Sequence, residues 1–411
     1  MRITVHRGTN QIGGCITEYE CNDWRLFVDY GSQLPGANAS DSPISVEGLT
    51  CGDVSRTALL LTHYHGDHMG EIDLLPESIP VYMGKLCREI AVYYSDYVGN
   101  VSSKSNAIAQ RLKMANIFTP GRKFKFGPFE ILPLNVDHSA FDAYAFRIEA
   151  NGKAAFHTGD FRAHGFRSGK LEKALQKYIG PVDYVISEAT NIKRIDASSE
   201  TEHELQQKFK DAFCQNKHNI VYLSSTNIDR LFSLYRAAVY AKRPFFIDGF
   251  QKQIMNIVAK SKSLWTKSSL YQFTYPKPIT LKRDEAREYI LDPSMFGDNG
   301  FVLIARANCF FNNLISKLPK ANKYLSMWNG YLKEGATFNA ALAEALADGY
   351  AYLHTSGHCD TEDMERVFKI LKPHSIISIH TDDPSAFKKR FSQEWDVVDL
   401  TDGQSFDSDK E

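Results

Sequence analysis

Short apolar runs that stop at a glycine, aspartate or histidine recur along the first part of the chain. Arg25–Asp29 (RLFVD), Thr57–Thr62 (TALLLT), Phe129–Val136 (FEILPLNV) and Ala154–Thr158 (AAFHT) are rich in Val, Ile, Leu and Phe. Runs of this length and composition predict strands buried on one or both faces. Lys85–Tyr97 and Gly169–Tyr178 read as helices between them. From Thr201 the pattern alternates: a helix over Glu202–Asn216, a strand over Ile220–Ser224, a helix over Ile228–Lys242 and a strand over Phe245–Asp248. That alternation predicts a small parallel α/β unit. Strand-and-helix character returns from Ala351 to His380, and a polar, acidic tail expected to fray begins at Asp402.

With 411 residues, the chain is long enough for two domains. A hydrophobic share of 43% and a charged share of 24% exclude wholesale disorder. No apolar run reaches the roughly 18–20 residues that span a bilayer, and the opening MRITVHRGTN has no apolar signal core. A cytoplasmic protein with no membrane partner is expected. The seven cysteines (15, 21, 51, 87, 214, 309 and 359) are scattered and form no Cys-x-x-Cys, so a disulfide framework or a cysteine-rich zinc site is not expected; most read as small core residues.

The net charge of −1 argues against a generally basic coat for nucleic acid. It conceals a split. Residues 201–350 hold 20 basic and 13 acidic side chains, and the remainder holds 28 and 36. Lys252, Lys260, Lys262, Lys267, Lys282, Arg283 and Arg287 form the densest basic set, and Arg122, Lys123 and Lys125 a second one. Trp265, Tyr271, Phe273 and Tyr275 interleave with the first set, either as stacking platforms for unpaired bases or as core.

The strongest chemical signal is Thr62-His63-Tyr64-His65-Gly66-Asp67-His68, directly after an apolar run. His63 and His65 are two residues apart, so at a strand end they point to one side. Asp67 and His68 follow where a helix would begin and can turn back toward the same point. Such a set of imidazole and carboxylate donors suits Zn²⁺ or Mn²⁺. Further candidates close later strands: Asp137-His138 after FEILPLNV, and His157-Thr158-Gly159-Asp160 after the next run, where the Asp160 carboxylate can bridge two cations. Asp29, at the end of an earlier strand, is a candidate carboxylate for orienting a ligand histidine.

His63-x-His65-x-Asp67-His68, with His138 and Asp160 downstream, resembles the metallo-β-lactamase superfamily signature. The resemblance implies an α/β protein with an αββα sandwich and a dinuclear site at the edge of its sheets. His63, His65 and His138 would hold one cation, Asp67 and His68 the other, and Asp160 would bridge. Val185–Asn191, with Glu188 at its centre, is similar to the acidic motif of the β-CASP nucleases. Leu353–His358 and Ile379–Thr381 resemble two later motifs, and Ser224–Arg230 is similar to a segment of the ribonuclease J type. The resemblance implies a metallo-β-lactamase domain over 1–200, an inserted β-CASP α/β domain over 201–350, and a return segment with the acidic tail over 351–411.

In that setting His380 can complete the second cation's shell. His358 can bind the scissile phosphate or protonate the leaving oxygen, with Glu188 orienting it. Ser356 and Arg306 are candidate phosphate contacts. The expected reaction is hydrolysis of RNA by metal-activated water, leaving a 5′-phosphate and a 3′-hydroxyl, with two divalent ions, Zn²⁺ first and Mn²⁺ second. A DNA nuclease and a small-molecule metallo-hydrolase stay open as alternatives. So do exonuclease against endonuclease action, and monomer against dimer. Two departures stand out. Tyr324–Gly330 (YLSMWNG) occupies the place of a Gly-Ser-Gln-Gly-Glu loop, and the stretch after His380 is too short for the C-terminal domain of ribonuclease J.

Overall fold

The structure is a computed structural model and describes residues 1–36, 43–194 and 199–407. The chain divides into two compact units, Met1–Ser198 with Gly357–Glu411, and Ser199–Ser356.

The first unit holds two seven-stranded sheets. One runs, in spatial order, Gln404–Asp407, Arg2–Arg7, Ile16–Cys21, Trp24–Val28, Thr57–Leu60, Val81–Met83 and Asn116–Ile117. The other runs Asp396–Val397, Ser375–Ile379, Tyr184–Glu188, Lys153–His157, Ala143–Ala150, Phe129–Val136 and Phe124–Phe126. One buried cluster joins Ile3, Val5, Tyr19, Leu26 and Leu60 of the first sheet to Ile131, Phe146, Tyr184, Ile186 and Ile377 of the second. This makes the sheets the inner layers of an α/β sandwich. A second cluster packs Met364, Val367, Phe368, Phe387 and Phe391 of helices Thr361–Leu371 and Pro384–Phe391 against Leu134, Phe156, Val185 and Ile376. The second sheet is therefore covered on both sides, which explains why Phe129–Val136 and Ser375–Ile379 are near-continuous apolar runs rather than alternating ones. Helices Lys85–Gly99 and Ser103–Lys113 bury Leu86, Cys87 and Ile90, and Ile108 and Leu112.

Strand direction places the chemistry. Trp24–Val28 is parallel to Thr57–Leu60, and Lys153–His157 is parallel to Tyr184–Glu188, which is parallel to Ser375–Ile379. Phe129–Val136 and Lys153–His157 both run antiparallel to Ala143–Ala150, hence parallel to each other. Every strand that precedes a candidate site residue therefore delivers it at its C-terminal end, where α/β sheets bind ligands. The expected strands are found within a residue or two of their predicted bounds. The helix expected over Gly169–Tyr178 is shorter, Leu171–Ala174, continuing as a π-turn over Leu175–Ile179.

The tail departs from expectation. Instead of fraying from Asp402, Gln404–Asp407 pairs antiparallel with Arg2–Arg7, and Phe406 enters the inter-sheet core. The Asp402 carboxylate accepts from Thr9 N–H and Thr9 Oγ1 at 2.9 and 2.7 Å. One aromatic side chain and one carboxylate thus tie down a segment whose polar composition suggests solvent.

The second unit contains a six-stranded sheet in the order Ile279–Thr280, Phe245–Ile247, Phe301–Ala305, His218–Tyr222, Asn322–Leu325 and Ala351–Tyr352, with every pairing parallel. Helix Glu202–Gln215 starts with a Thr201–Glu204 capping box, and helix Gly249–Lys260 with an Asp248–Gln251 box. Glu202 and Arg230 form a bidentate, fully buried ion pair at 2.8 and 2.9 Å. Of the interleaved aromatics, Tyr271 is buried, its hydroxyl donating to Asp229, whereas Tyr275 is 93% exposed. Among the described residues no helix is long and apolar enough to cross a membrane.

Phe406→Ala is expected to lower the unfolding free energy by about 3 kcal/mol, the range for truncating a buried aromatic. Denaturant titration checks this; a loss below about 0.5 kcal/mol would mean that the last strand contributes no packing.

Candidate metal centre

Nine predicted side chains converge at the strand ends of the first unit. Thr62 and His63 follow Thr57–Leu60, and His65 precedes the single-turn helix Gly66–Met69 that carries Asp67 and His68. Gly31 lets this turn approach, since a Cβ there would lie 1.7 Å from the Asp67 carbonyl oxygen. His138 follows Phe129–Val136, and Asp160 follows Lys153–His157. Glu188 ends Tyr184–Glu188, and His380 follows Ser375–Ile379. Asp29 and His380 both adopt left-handed backbone, at φ +63° and +52°. Such conformations are uncommon outside glycine and concentrate where a side chain must be aimed.

Asp160 Oδ2 sits at the middle. It lies 3.1 Å from His68 Nε2, 3.8 Å from His63 Nε2 and His138 Nε2, and 3.7 Å from His380 Nε2 and His358 Nδ1. On one side His63, His65 and His138 form a set whose ligand atoms lie within 4.8 Å of one another, with His138 Nε2 3.3 Å from His65 Nδ1. On the other, Asp67 Oδ2 lies 3.3 Å from His380 Nε2 and 3.8 Å from His68 Nε2.

The outer nitrogens of these rings are engaged, which fixes what the inner ones can do. Asp29 accepts from Thr62 N–H (2.8 Å), from Thr62 Oγ1 (2.7 Å) and from His68 Nδ1–H (2.7 Å). With its hydroxyl proton given to Asp29, Thr62 Oγ1 accepts from His63 Nδ1–H at 3.0 Å. His138 Nδ1–H donates to the Gly357 carbonyl at 2.6 Å. In each case the remaining Nε2 faces the centre, and His63 Nε2 is buried without a hydrogen-bond partner. Burial, reinforced by the neighbouring histidines, holds His63 well below the usual imidazole range. Burial does the same for His138 and brings His65 down to about 4. These are neutral lone-pair donors at neutral pH. His68 is opposite: burial disfavours its charge, but Asp160, Asp67 and Asp29 overcome this and push it well above 6.5. Inward lone pairs, a central carboxylate and an unpartnered buried nitrogen fit divalent cations held by nitrogen and oxygen.

His358 stands at the edge, 22% exposed at its side chain, with Nδ1 2.9 Å from the fully buried Glu188 Oε2. Burial opposes its protonation, but Glu188 and then Asp160 outweigh it, and the ring is pushed up to about 9.

The remaining predicted contacts, Arg306 and Ser356, belong to the second unit. Arg306 Nη2 is bound to Asp248 Oδ2 at 2.6 Å, so a phosphate would compete with a carboxylate for it. Four contributors carry no role assigned from the sequence. Thr62, Thr190 and the Gly357 carbonyl hold candidate ligand histidines. Cys15, which is buried, brings its sulfur within 4.8 Å of nitrogens of His68 and His380. Thr62 and Thr190 had a signal, their places directly before His63 and two residues after Glu188. A backbone carbonyl has none.

With this geometry in hand, comparison with known proteins is direct. Residues 50–207 match the Beta-lactamase superfamily domain family. Ribonuclease J of Sinorhizobium meliloti is 22% identical over 377 residues, covering 86% of this chain and 63% of that protein. Ribonuclease J of Corynebacterium glutamicum is 25% identical over 408 residues, covering 92% and 53%. The chain thus spans between half and two thirds of the length of these relatives. A crystal structure of a protein of unknown function from Enterococcus faecalis V583 shares the fold, with a TM-score of 0.72 at 16% identity, covering 98% of this chain and 99% of that one. Residues 50–207 are thus similar to a metallo-β-lactamase-type domain. Over most of its length the chain is similar to ribonuclease J, in line with the resemblance of its motifs.

Asp29→Asn removes the acceptor that orients His68 and, through Thr62, His63. Divalent-cation affinity, read by competition with a chromophoric chelator, is expected to fall about 10–100-fold; wild-type affinity would show that these rings need no such support.

Proposed function

We propose that this protein is a metal-dependent hydrolase that cleaves RNA phosphodiesters, leaving a 5′-phosphate and a 3′-hydroxyl. The observation that carries the reading is the position of Asp160 Oδ2 between two donor groups, with His358 and Glu188 beside them. The similarity to ribonuclease J supports RNA as the substrate.

His63, His65 and His138 would hold one cation, and Asp67, His68 and His380 the other, with Asp160 shared. Bound divalent ions, zinc or manganese, would activate a water and offset charge on the phosphoryl oxygens. The chain's own contributions are positioning and proton transfer. Asp29, Thr62 and the Gly357 carbonyl keep the ligand rings turned inward. His358, protonated at neutral pH and oriented by Glu188 through Nδ1, would protonate the departing 3′ oxygen. Glu188 stabilises that charge and fixes the ring. In the second unit, the excess of basic residues over 201–350 attracts a polyanion, exposed Tyr275 offers a stacking face, and Arg306 and Ser356 are candidate backbone contacts. A cytoplasmic location fits this substrate.

The test is digestion of end-labelled, 5′-phosphorylated RNA beside matched DNA. RNA cleavage is expected to stop with chelator, return with zinc or manganese, and fall at least ~1000-fold in an Asp67→Ala/His68→Ala variant, since losing cation stabilisation adds several kcal/mol to the barrier. Cleavage that survives chelation or the double substitution would sink the metal mechanism, and preferential digestion of the DNA would sink the RNA assignment.

A further inference from the structure

The turn that follows strand Tyr184–Glu188 touches two histidines that come from far along the chain. Glu188 Oε2 takes the His358 ring. Asn191 Nδ2 donates to the carbonyls of His358 (3.2 Å) and Cys359 (3.0 Å), fixing the backbone that carries the ring. Between them, Thr190 Oγ1 lies 2.7 Å from His380 Nδ1, 3.2 Å from the His380 carbonyl oxygen and 3.2 Å from His358 Nδ1.

We propose that Thr190 is the positioning residue for His380, holding its ring with Nε2 turned to the cation shared with Asp67 and His68. The hydroxyl has one proton, and the His380 carbonyl can only accept, so the geometry assigns the proton to that carbonyl. Thr190 Oγ1 then accepts from His380 Nδ1–H. A threonine is suited to this because one oxygen can be donor and acceptor at once. Hydroxyl and carbonyl together clamp a residue whose own backbone is left-handed at φ +52°. His63, His68 and His138 each have an outer partner on the same plan, and Thr190 Oγ1 is the partner of His380 Nδ1. Thr190 does for the last ligand what Asp29 and Thr62 do for the first ones, from a different strand end.

This inference rests on the metal-dependent reading above, and cation binding tests it independently of turnover. The probes are zinc in competition with a chromophoric chelator and cobalt followed by its visible spectrum, both on the full chain. Thr190→Val is expected to weaken the second of two bound ions about 10–100-fold and to alter the cobalt spectrum, whereas Thr190→Ser retains wild-type affinity within about threefold. Thr190→Ala, which cannot clash, provides the same comparison if the valine variant folds poorly, and melting in chelator checks folding. Wild-type affinity in folded Thr190→Val or Thr190→Ala would overturn the proposal, and so would a serine variant as weak as the valine one. Two tightly bound ions in a wild-type protein that cleaves no RNA would defeat the nuclease reading alone. A wild type that binds no divalent ion would defeat both.

Discussion

The candidate metal centre depends on one buried carboxylate. Asp29 is 1% exposed, stands in a left-handed backbone conformation and spends both oxygens on the opposite strand end. Burial raises its pKa, while His68 and the two Thr62 bonds oppose that rise. Its bond to Thr62 N–H joins the ends of two parallel strands. Its bonds to Thr62 Oγ1 and His68 Nδ1 turn two imidazoles inward at once. A group with these obligations is tightly constrained, because an unpaired buried charge costs far more than the bonds it makes return.

The same plan recurs around the centre with different chemistry. A threonine hydroxyl supports His63, a carboxylate His68, a backbone carbonyl His138, another hydroxyl His380 and another carboxylate His358. Burial, reinforced by neighbouring histidines, keeps the His63 ring neutral with a lone pair to donate. Around His68 and His358, carboxylates outweigh burial and drive the ring toward its charged form. Environment therefore separates His63 from His358 although the side chains are identical.

Much of this was legible in the amino-acid order, for a specific reason. His63, His65, Asp67 and His68 are local, and His138, Asp160 and His380 each follow an apolar run, so strand geometry alone puts them at one sheet edge. The supports were harder. Thr190 meets His380 across 190 positions and His138 meets Gly357 across 219, and no short-range period encodes such pairings. The tail was misjudged because its composition is polar while one residue, Phe406, decides its fate. Charge counting also overstates what the second unit presents to a polyanion. Arg230 is engaged by Glu202 and Ser326, Arg306 is bound to Asp248, and Lys323 to Asp348. The excess of positive charge is real, but several of its guanidinium and ammonium groups are structural.

The strand Ser375–Ile379 sits between Asp396–Val397 and Tyr184–Glu188, with more than 180 residues of sequence separating it from the latter. During synthesis on a ribosome the first five strands of that sheet emerge long before it does, bringing His138 and Asp160, and His63, His65, Asp67 and His68 come out earlier still, with the other sheet. A nascent chain at that stage has six of the seven candidate ligands, but no His380, and it also has no His358. Completion of the site is therefore a late event in the life of each molecule, and under the proposed function the capacity to cut RNA would arise only after the segment 199–356 has been made.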